Sequence, residues 1–176
     1  MCGITACVAR DDVSETLFTG LQNLGYRGYD SSGIATNDGR EISVVKREGK
    51  IQNLEAALES GRPSGRVGIG HTRWSTHGAP TDRNAHPHTD CRGGIAVAHN
   101  GIIENHAALR EELTARGHTF ESDTDTEVVP HLLEEALEEG RSFVDALRET
   151  GDRLEGGYAL VVLIHADEAL YAPRYG

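Results

Sequence analysis

The sequence predicts a layered α+β domain. Its 176 residues favour a single domain, with no repeat, low-complexity tract or linker to divide it. Strand-like segments come in adjacent pairs and helical segments in adjacent groups, which favours layers over alternating parallel α/β units. Because only 5% of the residues are aromatic, we expect a core of Ala, Val, Ile and Leu, with Gly allowing close packing.

The first half of the chain predicts four strands and two helices. Residues 4–9 form an apolar run typical of a buried strand. Ser14 is the expected N-cap of a helix that Gly25 ends. The remaining elements, in order, are strands 31–36 and 41–47 around an Asn37-Asp38-Gly39 turn, a helix at 52–59 and a strand at 67–72.

The second half is more helical. A strand at 95–98 leads into Asn100-Gly101, and Thr124 is the expected cap of a helix at 125–139 with Glu127 in its first turn. The other expected elements are helices at 106–116 and from Ser142, and paired strands at 157–164 and 169–172.

The charge and the cysteines exclude some classes of protein. A formal net charge of −11 argues against nucleic-acid binding. Fifteen of the seventeen basic residues are Arg, and an acidic, Lys-poor surface suggests a halophilic, high-salt cytoplasm. Three cysteines without a signal peptide or membrane span predict reduced thiols in a cytoplasmic protein.

Cys2 is the first candidate for chemistry. Removal of Met1 would place a thiol and a free α-amino group on one residue. The α-amine has a reference pKa of ~7.7–8.0 and the thiol ~8.5, so the amine can take the thiol proton. Taken alone, Cys2 is more simply a small buried apolar residue.

Three polar segments are candidates for binding groups, each with a structural alternative. In the loop 71–78, Arg73 can grip a carboxylate, aided by Thr76 and His77, or the loop is an ordinary surface segment. Asn100-Gly101 can form an oxyanion hole or a hairpin turn. The segment 122–127 can cap a helix or hold an ammonium group.

No metal or cofactor site is predicted. His86-Pro87-His88 with Cys91 fits no standard zinc spacing, and no second Cys/His pair follows. The glycines of 65–70 lack the Lys and the following helix of a phosphate-binding loop.

Taken in order, the motifs resemble one family. They are Met1-Cys2-Gly3-Ile4, residues 26–33 (YRGYDSSG), the loop 71–78 (HTRWSTHG), residues 84–88 (NAHPH), residues 99–105 (HNGIIEN) and residues 124–127 (TDTE). This set is similar, over essentially the whole chain, to the glutaminase domain of glucosamine-6-phosphate synthase, a class II glutamine amidotransferase.

The resemblance implies a fold and a set of roles. The fold would be the four-layer αββα sandwich of N-terminal-nucleophile hydrolases. Cys2 would attack glutamine, with Asn100 and Gly101 as the oxyanion hole. The resemblance also implies three further groups, namely an α-carboxylate site at Arg73, Thr76 and His77, an α-ammonium site at Asp125, and a gate at Trp74 with Arg27 in support.

The resemblance also sets expectations for the whole protein. Residues 1–176 would be an incomplete glutaminase domain that supplies ammonia to sugar-isomerase domains absent from this sequence. A homodimer is left open, and no nucleic acid, membrane, metal or cofactor is expected. The alternatives are a non-catalytic fragment that binds glutamine or a partner, and an amidophosphoribosyltransferase-type glutaminase, which the Trp74 and His77 positions disfavour.

Overall fold

A computed structural model describes residues 2–175, so Met1, whose removal the predicted chemistry of Cys2 requires, and Gly176 lie outside the described residues. Two antiparallel sheets lie between two layers of helices. The first sheet has the strand order β1-β4-β2-β3 and the second has β5-β6-β7-β8, with β9 also pairing with β7. The strands, in chain order, are β1 (Gly3–Val8), β2 (Ser31–Asn37), β3 (Ile42–Glu48), β4 (Val67–Arg73), β5 (His88–Thr89), β6 (Ile95–Gly101), β7 (Tyr158–Ile164), β8 (Leu170–Tyr171) and β9 (Arg174–Tyr175).

Helices cover the outer face of each sheet. The helices are α1 (Ser14–Leu24), α2 (Ile51–Ser60), α3 (His106–Ala115), α4 (Val128–Glu138) and α5 (Phe143–Arg153), with a 3₁₀ turn at Gly25–Arg27. Helices α1 and α2 pack on the first sheet, and α4 packs on the second with α3 and α5 against it. None of the described helices is long and apolar enough to cross a membrane.

The alternation of side chains along each strand divides the core into three layers. Ile34 packs among the α1 and α2 side chains, whereas the next residue, Ala35, faces the other sheet. In the second sheet Val97 faces the helices, and its neighbours Ala96 and Ala98 face the first sheet. This period of two explains why the strands appear as continuous apolar runs, since both faces of each sheet are buried.

Two predicted helix starts are wrong. Ser14 is the first residue of α1 rather than its cap, and its hydroxyl donates to the carbonyl of Pro63. The N-cap position is Val13, whose side chain makes no cap hydrogen bond, and the preceding Asp12 takes over the capping role because its carboxylate accepts the Ser14 N–H at 2.8 Å. Helix α4 begins at Val128, three residues later than predicted, because residues 123–127 form turns whose side chains make long-range contacts. Thr124 accordingly lies against His88 at 3.0 Å and does not cap the helix.

Other predicted elements are close to their observed bounds. The hairpin of β2 and β3 turns through Asp38 and Gly39, with Gly39 at a φ of +85°. The prediction omitted the two short strands β5 and β9. The Asn100-Gly101 pair is not a hairpin turn, because both residues belong to β6 and pair with β7.

Candidate functional site

One cavity, of about 500 Å³, opens where the two sheets and the loop after β4 meet. Both sheets contribute, since β4 ends there in one and β6 in the other. The side chains or backbone that line it belong to Cys2, Arg27, Arg73, Trp74, Thr76, His86, His99, Asn100, Gly101, Ile102, Asp125 and Thr126. Eight of the nine residues predicted for the site are therefore brought together.

Cys2 reaches the cavity because it directly precedes β1. In the pairing of β1 with β4, Gly3 lies opposite Thr72, which places Cys2 beside the start of the next loop. The Trp74 N–H donates to the Cys2 Sγ at 3.2 Å. The cysteine is a free thiol and is half-buried. The Trp74 carbonyl oxygen lies 3.6 Å from the same sulfur, so both backbone groups of Trp74 hold the thiol where it lines the cavity.

Arg73 is a buried cation at the end of β4. Its guanidinium donates to the carbonyl oxygens of His77, Gly78 and Ala79, the last two at 3.2 and 3.5 Å. Burial lowers the pKa of Arg73 below its usual value, but an arginine stays charged at neutral pH. These bonds fix the plane of the guanidinium where it lines the cavity, and a fixed fork of N–H groups suits a carboxylate.

The side chain of Asn100 is oriented by a buried histidine. His71 Nε2 lies 3.0 Å from the Asn100 Oδ1 and 3.0 Å from the His99 carbonyl oxygen. A carbonyl only accepts, so Nε2 carries the proton and donates to both oxygens. With its Oδ1 occupied, Asn100 presents its amide N–H groups to the cavity, where a developing negative charge can accept them.

Gly101 allows a backbone approach that a side chain would block. Its φ is +131°, and a Cβ there would lie 2.2 Å from the Gly157 carbonyl oxygen. Both facts require glycine at the end of β6. The backbone of Gly101 consequently lines the cavity directly beside the Asn100 amide.

Asp125 supplies the negative charge of the cavity. It is only 4% exposed, and its Oδ2 accepts the Ile103 N–H at 2.9 Å. The same Oδ2 lies 4.0 Å from His99 Nδ1. Thr126 Oγ1 is 2.8 Å from both His86 Nε2 and His99 Nδ1. These contacts hold a buried carboxylate in one position facing the cavity, as recognition of an ammonium group requires.

The remaining predicted residues lie at the rim or beside it. Trp74 is 55% exposed and Thr76 is exposed, and both line the cavity together with Arg27. His77 is not among the described residues that line it. The His77 ring packs edge-on against His106 at 4.8 Å, and its carbonyl accepts from Arg73.

The buried histidines around the cavity are neutral at pH 7. Burial lowers the pKa of His71 to about 4 and the pKa of His99 below its usual value. Burial also holds the pKa values of His86 and His88 well below their ordinary range. Because these rings stay uncharged, Arg73 is the one buried cation among the described residues that line the cavity.

Sequence reasoning assigned no role to His71, Asp30 or Thr126. Asp30 accepts the Ser75 N–H and the Ser31 hydroxyl, so it anchors the loop that carries Trp74. All three residues lie within the motifs of the predicted site, yet their partners belong to other segments. One signal was available for His71, because a histidine at an inward position of a buried strand needs a polar partner.

Comparison with known proteins identifies the family. The profile of a family described as a glutamine amidotransferase domain matches residues 71–175. The glutamine–fructose-6-phosphate aminotransferase (isomerizing) of Halobacterium salinarum is 52% identical over 174 residues, which is 99% of this chain and 28% of that protein. The corresponding protein of Pyrococcus horikoshii is 53% identical over 99% of this chain and 29% of its own length. The chain thus spans less than a third of these relatives.

A solved structure supports the same conclusion. The glutamine phosphoribosylpyrophosphate amidotransferase of B. subtilis superposes with a TM-score of 0.76 at 27% identity, over 93% of this chain and 35% of that one. The predicted family and the predicted N-terminal-nucleophile sandwich are both confirmed. With a matching profile over most of its length and relatives about half identical throughout, this chain belongs to the class II glutamine amidotransferase domain family.

Proposed function

We propose that this chain hydrolyses L-glutamine to glutamate and ammonia, with Cys2 as the nucleophile. One observation carries the proposal. One cavity is lined by the thiol of Cys2, the buried guanidinium of Arg73, the buried carboxylate of Asp125 and the oriented amide of Asn100. This set matches the groups of glutamine, whose side-chain amide needs a nucleophile and whose α-carboxylate and α-ammonium need opposite charges.

The chemical step begins at the Cys2 sulfur. After removal of Met1, the α-amine of Cys2 accepts the thiol proton, and Sγ attacks the side-chain carbonyl carbon of glutamine. The carbonyl oxygen becomes an oxyanion that accepts N–H groups from Asn100 and Gly101. Collapse of this intermediate transfers the proton to the leaving nitrogen, releases ammonia and leaves a thioester. Water then attacks the thioester and restores the thiol with release of glutamate.

Binding is separate from this step. Arg73 takes the α-carboxylate, assisted by the Thr76 hydroxyl, and Asp125 takes the α-ammonium group. His77 contributes through its carbonyl, which helps to hold the Arg73 guanidinium. Trp74 and Arg27 lie at the entrance, where Trp74 is exposed enough to move over a bound ligand.

The ammonia would serve a synthase reaction. We propose that residues 1–176 belong to the glutaminase domain of a cytoplasmic protein whose sugar-isomerase domains transfer the ammonia to fructose-6-phosphate. The support is the 52% identity to a glutamine–fructose-6-phosphate aminotransferase. An amidophosphoribosyltransferase-type role has less support, since the solved relative of that type is 27% identical.

Glutamine turnover and covalent labelling test the proposal together. Intact mass first establishes that Met1 is absent, and the protein is then incubated with glutamine and with an electrophilic glutamine analogue. We expect glutamate release and a single adduct on Cys2. Cys2→Ala should abolish both and leave glutamine binding largely intact, because the α-groups are held elsewhere.

Cys7→Ser is the matched control, since Cys7 is a second free thiol on β1, where it packs beside α1. It should keep both turnover and labelling. A folded protein without Met1 that binds glutamine and releases no glutamate would favour the non-catalytic alternative.

Arg73→Lys tests the carboxylate site. A lysine cannot reproduce the planar fork, so the Kd for glutamine should rise about tenfold or more, the cost of roughly one charge-assisted hydrogen bond. Binding is measured by calorimetry in the Cys2→Ala background, which prevents turnover. Arg66→Lys, at an exposed position just before β4, should leave the Kd unchanged. An unchanged Kd in Arg73→Lys would mean that the carboxylate lies elsewhere.

A further inference from the structure

Away from the cavity, four metal-ligating side chains from three segments converge. Cys91 lies in the loop between β5 and β6, His118 follows α3, and His131 and Glu134 are one turn apart on α4. One ligand atom from each lies within 4.8 Å of every other. His131 and Glu134 are buried, whereas Cys91 is exposed, so an ion has access to the group from solvent.

The separations between these atoms suit a tetrahedral ion. Cys91 Sγ lies 3.5 Å from His118 Nδ1 and 3.6 Å from His131 Nδ1. Glu134 Oε2 lies 3.1 Å from His118 Nδ1 and 3.5 Å from His131 Nδ1. Zinc bonds to sulfur, nitrogen and oxygen in a tetrahedron place neighbouring ligand atoms roughly 3.3–3.6 Å apart. Four of the six separations therefore lie at or close to the tetrahedral range, and the other two are no longer than 4.8 Å.

Contacts on the far side of the two histidine rings orient their Nδ1 atoms toward the centre of the group. Both histidines direct Nδ1 into the group. The opposite nitrogen of each faces a carboxylate, with His118 Nε2 3.5 Å from Glu135 Oε1 and His131 Nε2 3.9 Å from Glu127 Oε1. A carboxylate behind the non-coordinating nitrogen is the usual arrangement around a zinc-bound histidine, because it fixes the ring and the tautomer.

The two carboxylate oxygens of Glu134 also face in different directions. Its Oε1 lies 3.8 Å from Arg92 Nε, at the surface, while Oε2 faces the two histidines. The carboxylate therefore offers one oxygen to an ion and keeps the other for an ion pair. The cluster has the four ligands of a closed structural site and leaves no position for a substrate.

We propose that Cys91, His118, His131 and Glu134 bind one Zn²⁺ ion with a structural role. A thiolate and two imidazoles select zinc over magnesium or calcium, which prefer oxygen ligands alone. Binding replaces the Cys91 thiol proton with the ion and releases that proton to solvent. The ion ties the β5–β6 loop and the segment after α3 to helix α4.

The proposed zinc site is also connected to the glutamine cavity through Glu127. Glu127, behind His131, accepts the backbone N–H groups of Glu121 and Ser122, both at 2.7 Å. These bonds fold the segment that carries Asp125, two residues before Glu127. An ordered zinc site would thus hold the α-ammonium group's proposed partner in place without touching the ligand.

Elemental analysis and thermal denaturation test the site. The protein is stripped with a chelator, dialysed against Zn²⁺ and analysed for metal, and its Tm is measured with and without Zn²⁺. We expect one zinc per chain and a higher Tm with zinc, because an ion that binds only the folded state stabilises it. Co²⁺ in place of Zn²⁺ should show the intense visible bands of tetrahedral coordination and a sulfur-to-metal charge-transfer band.

Matched variants locate the ion. Cys91→Ser and His118→Asn should each weaken zinc binding about 100-fold or more, whereas Cys7→Ser, which removes a thiol elsewhere, should bind like the parent chain. Two variants are used so that a folding defect in one leaves the other informative. Less than a tenth of an equivalent of zinc in folded protein, or equal affinity in Cys91→Ser, would overturn the proposal and leave a hydrogen-bonded polar cluster.

Discussion

At the scale of single residues, His71 joins the two sheets at the cavity. It lies on β4 of the first sheet, and its single Nε2 proton is shared between two oxygens of β6 in the second. Its ring also packs against His86, with centroids 4.4 Å apart. His71 is therefore a positioning residue, which acts on the proposed oxyanion through Asn100.

A pair of variants tests that role. His71→Leu removes the donor, so Asn100 can rotate, and we expect kcat to fall about tenfold or more with little change in KM. This is less than the 10²–10³ lost when an oxyanion-hole donor is deleted. His71→Gln keeps an N–H donor and should restore part of kcat. Steady-state glutaminase kinetics provide the measurement, and a rise in KM at constant kcat would contradict the role.

At the scale of elements, the start of α1 depends on Asp12. Its carboxylate accepts the Ser14 N–H at 2.8 Å and the Gly65 N–H at 3.1 Å, so it joins the helix to the segment before β4. Burial alone raises the pKa of Asp12, but hydrogen bonds from Ser14 and Gly65 and the nearby Arg62 lower it overall. The folded state therefore favours the ionised carboxylate.

Removing this cap should destabilise the domain. We expect Asp12→Ala to lower the free energy of unfolding by about 1 kcal/mol, the typical cost of an N-cap. Urea denaturation at pH 7 measures it. Asp11→Ala, a change at the neighbouring exposed aspartate, serves as the control and should cost less than half as much. If Ser14→Ala were costly and Asp12→Ala neutral, the cap would be misidentified.

At the scale of the whole molecule, the buried histidines predict acid sensitivity. In the folded state the pKa of His71 is about 4, and those of His86 and His88 are also depressed by burial. In the unfolded chain a histidine has a pKa of about 6.5. Above that pH both states are neutral and stability is full. As the pH falls below about 6.5, only the unfolded chain takes up protons, so stability decreases.

Urea midpoints at pH 7.5, 6 and 5 check this expectation, with each histidine costing up to ~1.4 kcal/mol per pH unit below 6.5. Between pH 6.5 and about 5, the loss of stability comes from the histidines more than from the carboxylates, which titrate at lower pH. Glu127, for example, has its pKa lowered to about 2: burial raises the pKa, but the nearby His131 and hydrogen bonds from the Ser122 hydroxyl and two backbone N–H groups outweigh that effect. Its stabilising effect is lost only as the pH falls through the range of an ordinary glutamate and below. A constant midpoint between pH 7.5 and 5 would contradict the prediction.

The charge of the molecule predicts a response to salt. Acidic residues outnumber Lys and Arg by 28 to 17, so screening should relieve more repulsion than attraction. We expect the Tm to be higher in about 1 M KCl, where the Debye length is ~3 Å, than in dilute buffer. Scanning calorimetry measures the difference. Equal values would remove the support for a halophilic origin.

The sequence by itself determined the elements and the family. Apolar periodicity placed the longer strands and helices, because side chains on a strand alternate and those on a helix recur every three to four residues. The ordered motifs indicated Cys2, Arg73, Asn100 and Asp125 together, and the structure places all four around one cavity. Capping was less predictable, since a short polar residue can bond locally or to a distant segment.

Only the tertiary structure decided which distant groups meet. Cys91 and His131 are 40 residues apart in the chain, as are His86 and Thr126. The spacing of residues along the chain does not predict that such distant side chains are in contact. His71 gained its role because β4 and β6, in different sheets, approach each other at the cavity. Local patterns are set by backbone geometry within a few residues, whereas these sites arise from the packing of one sheet on the other and of α4 on the second sheet.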